Sequence, residues 1–306
     1  MRKEFIIGID LGGTNLKVAL LDLKYRIRKK EILNTRKFTS KSSLISGITF
    51  AIKRIIQSNN LKRSNVLGVG LGLPGPVDPK RGIVQYLPNI PGWHNVNLKR
   101  ILQKELGLRV FLDNDANLMC RAEFRLGAAR GLRNAVCLTL GTGVGGGIIV
   151  DKALFRGSTF NAGEVGHIPI NESGPKCNCG GKACLEAYVG NNAILRQARQ
   201  FFGKSITLEK LSALAAKGNK QALKIWREVG TNLGIALAGI VNLLNPDAIV
   251  LGGGVAEAGE LLFAQVRKTI LQRAMPAQAE HVRLVKARLE RDAGLIGAAI
   301  LVKEGF

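Results

Sequence analysis

The sequence predicts a two-domain α/β protein built from duplicated strand–Gly turn–strand modules, and three observations predict it. The run Ala135 to Asp151 (AVCLTLGTGVGGGIIVD) repeats the opening of the chain. When Asp10 is set on Thr139, Gly12 falls on Gly141, Gly13 on Thr142 and Asp22 on Asp151. A module that occurs twice points to two related halves. Short apolar runs alternate with stretches of helical periodicity, the pattern of an α/β architecture. At 306 residues the chain has room for two domains, and no linker is long or low in complexity.

Taken in order, Glu4 to Ile9 is an apolar run closed by Asp10. Leu11 to Asn15 is a turn, and Leu16 to Leu21 a second strand closed by Asp22. A third, basic strand spans Tyr25 to Leu33. Ser43 to Asn59 places Leu44, Ile48, Ile52, Ile55 and Ile56 at helical spacing. Val66 to Leu73 is a buried strand, and a Pro/Gly loop runs from its end to Trp93. A helix at Leu98–Leu106 and a short strand at Val110–Leu112 lead into Asp113-Asn114-Asp115-Ala116-Asn117, then a helix to Leu126. After the repeated hairpin comes the loop Asn161 to Tyr188. Helices follow at Asn191–Phe202, Leu208–Lys217 and Gln221–Leu244, the last stopped by Asn245-Pro246-Asp247. Ala248–Leu251 is a strand ended by Gly252-Gly253-Gly254. A helix from about Glu257 to Arg273, a strand at Val282–Ala287 and a helix from Ala293 to Val302, N-capped by Asp292, complete the chain.

Composition is that of a globular protein, 46% hydrophobic and 22% charged. No apolar run reaches the roughly 18 residues of a membrane span. Asp10 and the following glycines break the opening run too early for a secretory signal. The expectation is a cytoplasmic protein without a membrane partner. Net charge is +23, and the basic residues are spread along the chain; the densest run is Lys24, Arg26, Arg28, Lys29 and Lys30. No RNA-binding signature or helix-turn-helix is present. Attraction of ATP or another polyanion is expected, with no specific nucleic-acid partner.

Chemistry concentrates in three places. The two Gly-rich hairpin turns and the glycines after Leu251 suggest three backbone contacts to one polyphosphate, because glycine lets N–H groups approach anionic oxygens. None is a Walker A loop or a Rossmann fingerprint. Thr14 and Thr142 add hydroxyls, Asp10 offers a carboxylate for Mg²⁺, and Lys17 a cation for phosphate. Asp115, where a strand gives way to a helix, is the candidate base. Asp113 competes with it on chemistry, and either Asn114 or Asp115 would serve as a helix cap. His167, Cys177, Cys179 and Cys184 form a four-ligand set suited to tetrahedral Zn²⁺; with no open position the metal would be structural. Glu164, Asn114 and Glu186 are groups of the kind that hold sugar hydroxyls. His167 can give one ring nitrogen to zinc and turn the other to a hydroxyl or carboxylate. Cys120 and Cys137 lie in apolar contexts and read as reduced core residues.

In order, DLGGTN at Asp10–Asn15, PGPVD at Pro74–Asp78, LPNIPGW at Leu87–Trp93, DNDAN at Asp113–Asn117, LGTGVGGG at Leu140–Gly147, GEVGH at Gly163–His167, CNCGGKACLE at Cys177–Glu186 and LGGG at Leu251–Gly254 cover nearly the whole chain. This set resembles the ROK family of sugar kinases and sugar-responsive repressors, most nearly its glucokinases. The resemblance implies the actin/hexokinase-like (ribonuclease H-like) fold, with two domains closing on a cleft. The expected division is 1–117, joined by the C-terminal helix 292–306, against 118–291 with the zinc loop. It implies that Asp115 takes the proton from a sugar hydroxyl. Asn114, Glu164, His167 and Glu186 would hold the sugar, with Gly75 and Asn89 closing over it. Asp10, Gly12, Gly13, Thr14, Asn15, Lys17, Thr142 and Gly143 would hold ATP phosphates and magnesium, and Gly253 and Gly254 would lie by the adenosine. His167, Cys177, Cys179 and Cys184 match the family's zinc site. One departure is Ala183, where the family has glycine; if that position needs φ > 0, the alanine strains the loop.

The activity expected is ATP-dependent phosphorylation of a hexose, glucose at its 6-hydroxyl, by a homodimer or homotetramer. An N-acetylglucosamine, N-acetylmannosamine or fructose kinase is the alternative enzyme. A non-catalytic sugar-sensing regulator is the alternative of another class; the family's repressors carry an added DNA-binding segment, for which the first strand, starting near Glu4, leaves no room.

Overall fold

The structure, a computed structural model, describes residues 3–87 and 90–305. The first stretch of the chain forms β1 (Phe5–Leu11), β2 (Asn15–Asp22), β3 (Ile27–Asn34), α1 (Lys41–Gln57), β4 (Val66–Leu73), β5 (Val77–Asp78), β6 (Ile83–Val84), α2 (Leu98–Leu106), β7 (Val110–Asn114) and α3 (Asp115–Leu126). The remainder forms β8 (Ala135–Leu140), β9 (Val144–Val150), β10 (Ala153–Phe155), α4 (Glu186–Val189), α5 (Asn191–Phe202), α6 (Leu208–Ala216), α7 (Lys220–Leu244), β11 (Ala248–Gly252), α8 (Glu260–Arg273), α9 (Pro276–His281), β12 (Arg283–Lys286) and α10 (Ala293–Glu304). These elements fall into two units. One holds the described residues up to Ala122, the segment Arg156–Ala162, and those from Arg291 onward; the other holds Glu123–Phe155 and Gly163–Glu290.

Each unit is organised on a five-stranded sheet. The order is β3-β2-β1-β4-β7 in the first and β10-β9-β8-β11-β12 in the second. Both open with an antiparallel hairpin and add a third antiparallel strand on one side. Both then place two parallel strands on the other side. The duplication seen in the sequence therefore extends over the whole sheet.

In the first unit the central strands read as almost continuous apolar runs because helices cover both faces. Leu44, Ile48, Ile52 and Ile55 of α1 and Leu98 and Leu102 of α2 are fully buried in one cluster with Ile7, Ile9 and Leu71. Ser40 caps α1 in a reciprocal box with Ser43. On the opposite face Leu295 and Ala299 of α10 pack with Ile6, Ala19 and Leu21. In the second unit, Leu233, Leu237 and Val241 of α7 share a core with Leu262 and Val266 of α8. Asn245, left-handed at φ 42°, ends α7 where the sequence predicts a stop.

Three local expectations change. The Pro/Gly loop contains the small hairpin β5–β6. The helix expected from Glu257 starts as a 3₁₀ turn, and Gly259 at φ 60° delays α8 to Glu260. Asp292 precedes α10 but does not cap it, because its backbone is helical (φ −104°, ψ −3°) rather than extended. Its carboxylate instead accepts from Lys30 at 2.7 Å. Cys120 and Cys137 are buried in the core, as expected. Among the described residues no helix is long and apolar enough to cross a membrane.

Candidate active site

In the first unit, β7 passes directly into α3 through the 113–117 run. Asn114 Oδ1 accepts the backbone N–H groups of Ala116 at 2.9 Å and Asn117 at 3.1 Å, so Asn114 is the residue that caps α3. Its Nδ2 donates to the carbonyl of Gly75 at 3.2 Å, bringing those two expected site residues together. Asp115 occupies the first turn of α3 and is half-buried; its Oδ1 accepts the Ala116 N–H at 2.9 Å. Asp113 is buried. Its Oδ1 accepts from the Asn114 N–H and the Asn117 amide, and its Oδ2 from the Arg156 guanidinium at 2.7 Å. Asn89 lies outside the described residues.

The first hairpin turn is closed by Gly12 N–H donating to the Asn15 carbonyl at 2.8 Å. Thr35, just beyond β3, steadies it from outside: its hydroxyl donates to the Gly12 carbonyl at 3.0 Å and its N–H to the Thr14 carbonyl at 2.9 Å. Gly13, Thr14 and Asn15 are exposed, free to meet a ligand. Asp10 and Lys17 are cross-strand partners, with Lys17 Nζ 2.7 Å from Asp10 Oδ2 and 3.1 Å from the Arg291 carbonyl. The carboxylate expected to serve magnesium thus also orients the cation expected to serve phosphate.

In the second unit the structure assembles most of the remaining residues. Gly141 N–H donates to the Gly143 carbonyl at 2.9 Å, which tightens the second hairpin turn and leaves Thr142 exposed. Glu186, at the start of α4, accepts the Val144 N–H at 2.9 Å through Oε2. A Cβ on Gly143 would stand 2.3 Å from that oxygen, so only glycine leaves room for the contact. Gly253, at φ 87°, lies against the end of β8, where a Cβ would meet the Leu140 carbonyl at 2.4 Å. Two of the three glycine turns are therefore neighbours.

Between these features runs the cysteine loop. The ligand atoms of His167, Cys177, Cys179 and Cys184 all lie within 4.8 Å of one another. Cys177 Sγ is 3.7 Å from His167 Nδ1, and Cys179 Sγ is 3.7 Å from Cys184 Sγ. A tetrahedron with metal–sulfur bonds near 2.3 Å has sulfur–sulfur edges of about 3.8 Å, so the set fits zinc in number, chemistry and spacing. Burial pushes Cys177 up, and burial with the neighbouring thiols pushes Cys184 up to about 12, whereas the Gly181 N–H lowers Cys179. Crowded thiols resist losing their protons together, and a bound dication removes that resistance. Ala183 sits at φ 56°, which meets the condition under which the alanine strains the loop. His167 turns Nε2 toward Glu164, 3.8 Å away. Burial raises Glu164 above the usual carboxylate range, His167 opposes the rise, and Glu186 adds to it.

Arg156 and Thr35 were not legible as site residues. Each is a lone polar residue in a loop, and no spacing rule ties Arg156 to Asp113 or Thr35 to the turn it supports.

The profile of the ROK family matches residues 6–305. The chain is 37% identical to a glucokinase of Thermotoga maritima over 99% of both chains. It is 30% identical to a xylose repressor of Caldicellulosiruptor bescii over 97% of this chain and 77% of the repressor. The fold superposes on a ROK family glucokinase from Streptomyces griseus, solved in complex with glucose and AMPPNP, with a TM-score of 0.85, 33% identity, and coverage of 98% of this chain and all of that one.

Proposed function

The chain belongs to the ROK family, and from that premise we propose that it is a sugar kinase of the glucokinase type, transferring the γ-phosphoryl group of ATP to the 6-hydroxyl of glucose. Its fold is the actin/hexokinase-like one. Asp115 takes the hydroxyl proton as the oxygen attacks phosphorus and the bond to ADP breaks. Asn114, Glu164, His167 and Glu186 hold the ring, with Gly75 and Asn89 over it. The turns carrying Gly12, Gly13, Thr14, Asn15, Thr142 and Gly143 cradle the phosphates with Lys17, and Gly253 and Gly254 lie by the adenosine. Asp10 would hold Mg²⁺, which supplies neutralising charge at the phosphates. The Cys₃His set would hold a structural Zn²⁺, bracing the loop that carries Glu164 and Glu186. A cytoplasmic homodimer or homotetramer completes the reading, with residues 1–117 and 292–306 as one functional domain and 118–291 as the other.

One observation favours Asp115 over Asp113 as base: Asp113 is buried under a guanidinium, while Asp115 is half-buried on the first turn of α3. The test is turnover by the purified chain with ATP and a panel of sugars, scored by kcat/KM. Glucose should rank first. A higher score for N-acetylglucosamine, N-acetylmannosamine or fructose would move the assignment to that sugar. Similarity to the xylose repressor favours a second reading, a sugar-sensing regulator, which would bind sugar with no ATP turnover at all.

A further inference from the structure

Arg156 directly follows β10 and opens the segment Arg156–Ala162, which clusters with the first unit although both flanks belong to the second. Its guanidinium reaches Asp113 Oδ2 through Nη2 at 2.7 Å and through Nε at 3.2 Å. The Asp113 side chain is 2% exposed and that of Arg156 14%. The other carboxylate oxygen of Asp113 takes the Asn114 N–H at 2.9 Å and the Asn117 amide at 3.2 Å. Among the described residues, the side-chain hydrogen bonds of Asp113 thus run either to Arg156 or to the 113–117 turn itself. Arg121 of α3 shares this charge field and is balanced by Glu304 at 3.6 Å and the Gly305 carbonyl at 2.7 Å.

A buried ion pair is a poor source of stability, since desolvation consumes most of the Coulombic gain. What a forked guanidinium does well is fix orientation. We infer that Arg156 is a positioning residue for phosphoryl transfer: its ion pair with Asp113 sets the strand-to-helix turn that presents Asn114 and Asp115. The inference rests on Asp115 being the base. Asp113 and Asp115 bracket Asn114 in one short turn, so a rotation of the Asp113 carboxylate is passed to both neighbours through the backbone. Misplacement of a reacting group by about 1 Å costs on the order of a hundredfold in rate.

The experiment compares full-length wild type, Asp115→Asn, Arg156→Gln, Arg156→Lys and the double variant Asp113→Asn/Arg156→Gln. It reads kcat, the KM values for glucose and ATP, and the thermal midpoint. Arg156→Gln should lose about a hundredfold in kcat while both KM values stay within about tenfold, and Arg156→Lys should recover part of the loss. The double variant leaves no uncompensated buried charge. It should regain most of the thermal midpoint yet stay slow, an outcome that a merely structural role would not produce. A folded Arg156→Gln enzyme with wild-type kcat overturns the inference, as does a double variant that is both stable and fast. Where Arg156→Gln does not fold, Arg156→Lys decides in the same way: wild-type kcat refutes, and a kcat reduced at unchanged KM supports. Wild type active and Asp115→Asn inactive, with Arg156→Gln at wild-type speed, removes this inference alone. An active Asp115→Asn variant removes the assignment of the base and the inference with it.

Discussion

Replacing Asp115 by asparagine keeps the size of the side chain and removes its capacity to take a proton. The Asp115→Asn enzyme should therefore lose about a thousandfold in kcat, while calorimetry still detects glucose at near wild-type affinity. Unchanged turnover would reassign the base. Asp22 offers a second test at this scale. Burial alone would raise its carboxyl, but the N–H and guanidinium of Arg26, the Lys24 N–H and Arg28 outweigh burial and hold it at about 2. A pKa depressed on folding adds stability above the unfolded value near 3.8, and that stability is lost as pH falls toward about 2. Asp22→Asn should cost roughly 1 kcal/mol at pH 7, and the gap to wild type in urea midpoint should close between pH 4 and 2. A gap independent of pH would show that the β2–β3 turn does not depend on this charge.

At the level of elements, the cysteine loop has little regular structure and so needs a brace. Cys179→Ser should lose stoichiometric zinc by elemental analysis and raise the glucose KM about tenfold or more; a metal-free wild type with full activity would contradict this. The loop also shows what sequence can carry. The four ligands were legible because metal chemistry restricts residue type and spacing; strain at Ala183 could be posed only as a condition, which its φ of 56° then meets. The helices were legible because burial imposes a period: Leu44, Ile48, Ile52 and Ile55 are all fully buried. Asp292 was misread because a capping residue needs an extended backbone as well as an oxygen, and only coordinates report the former. Arg156 stayed hidden because its partner lies 43 positions away and no local pattern records such a pairing.

For the whole molecule, the net charge of +23 calls for separating attraction from recognition. Binding to double-stranded DNA should weaken at least tenfold between about 50 and 200 mM salt and be equal for unrelated sequences. A sequence-dependent affinity that survives the higher salt would favour a regulator. The duplicated sheet was readable from the two glycine hairpins, since a tight turn before a closing acid leaves a mark in composition. That the other three strands of each sheet also repeat was not, because the largely exposed third strands share no motif and the parallel strands of Val, Ile and Leu carry no register of their own.

The hydrogen bond from Val144 N–H to Glu186 has a thermodynamic corollary. On the roles proposed, one end of it belongs to the turn that meets nucleotide and the other to the wall that meets sugar. A ligand that draws on either end alters the other, and binding free energies coupled in this way are reciprocal. Whatever factor glucose adds to nucleotide affinity must be returned by nucleotide to glucose, so the two titrations, run in either order, close the same square.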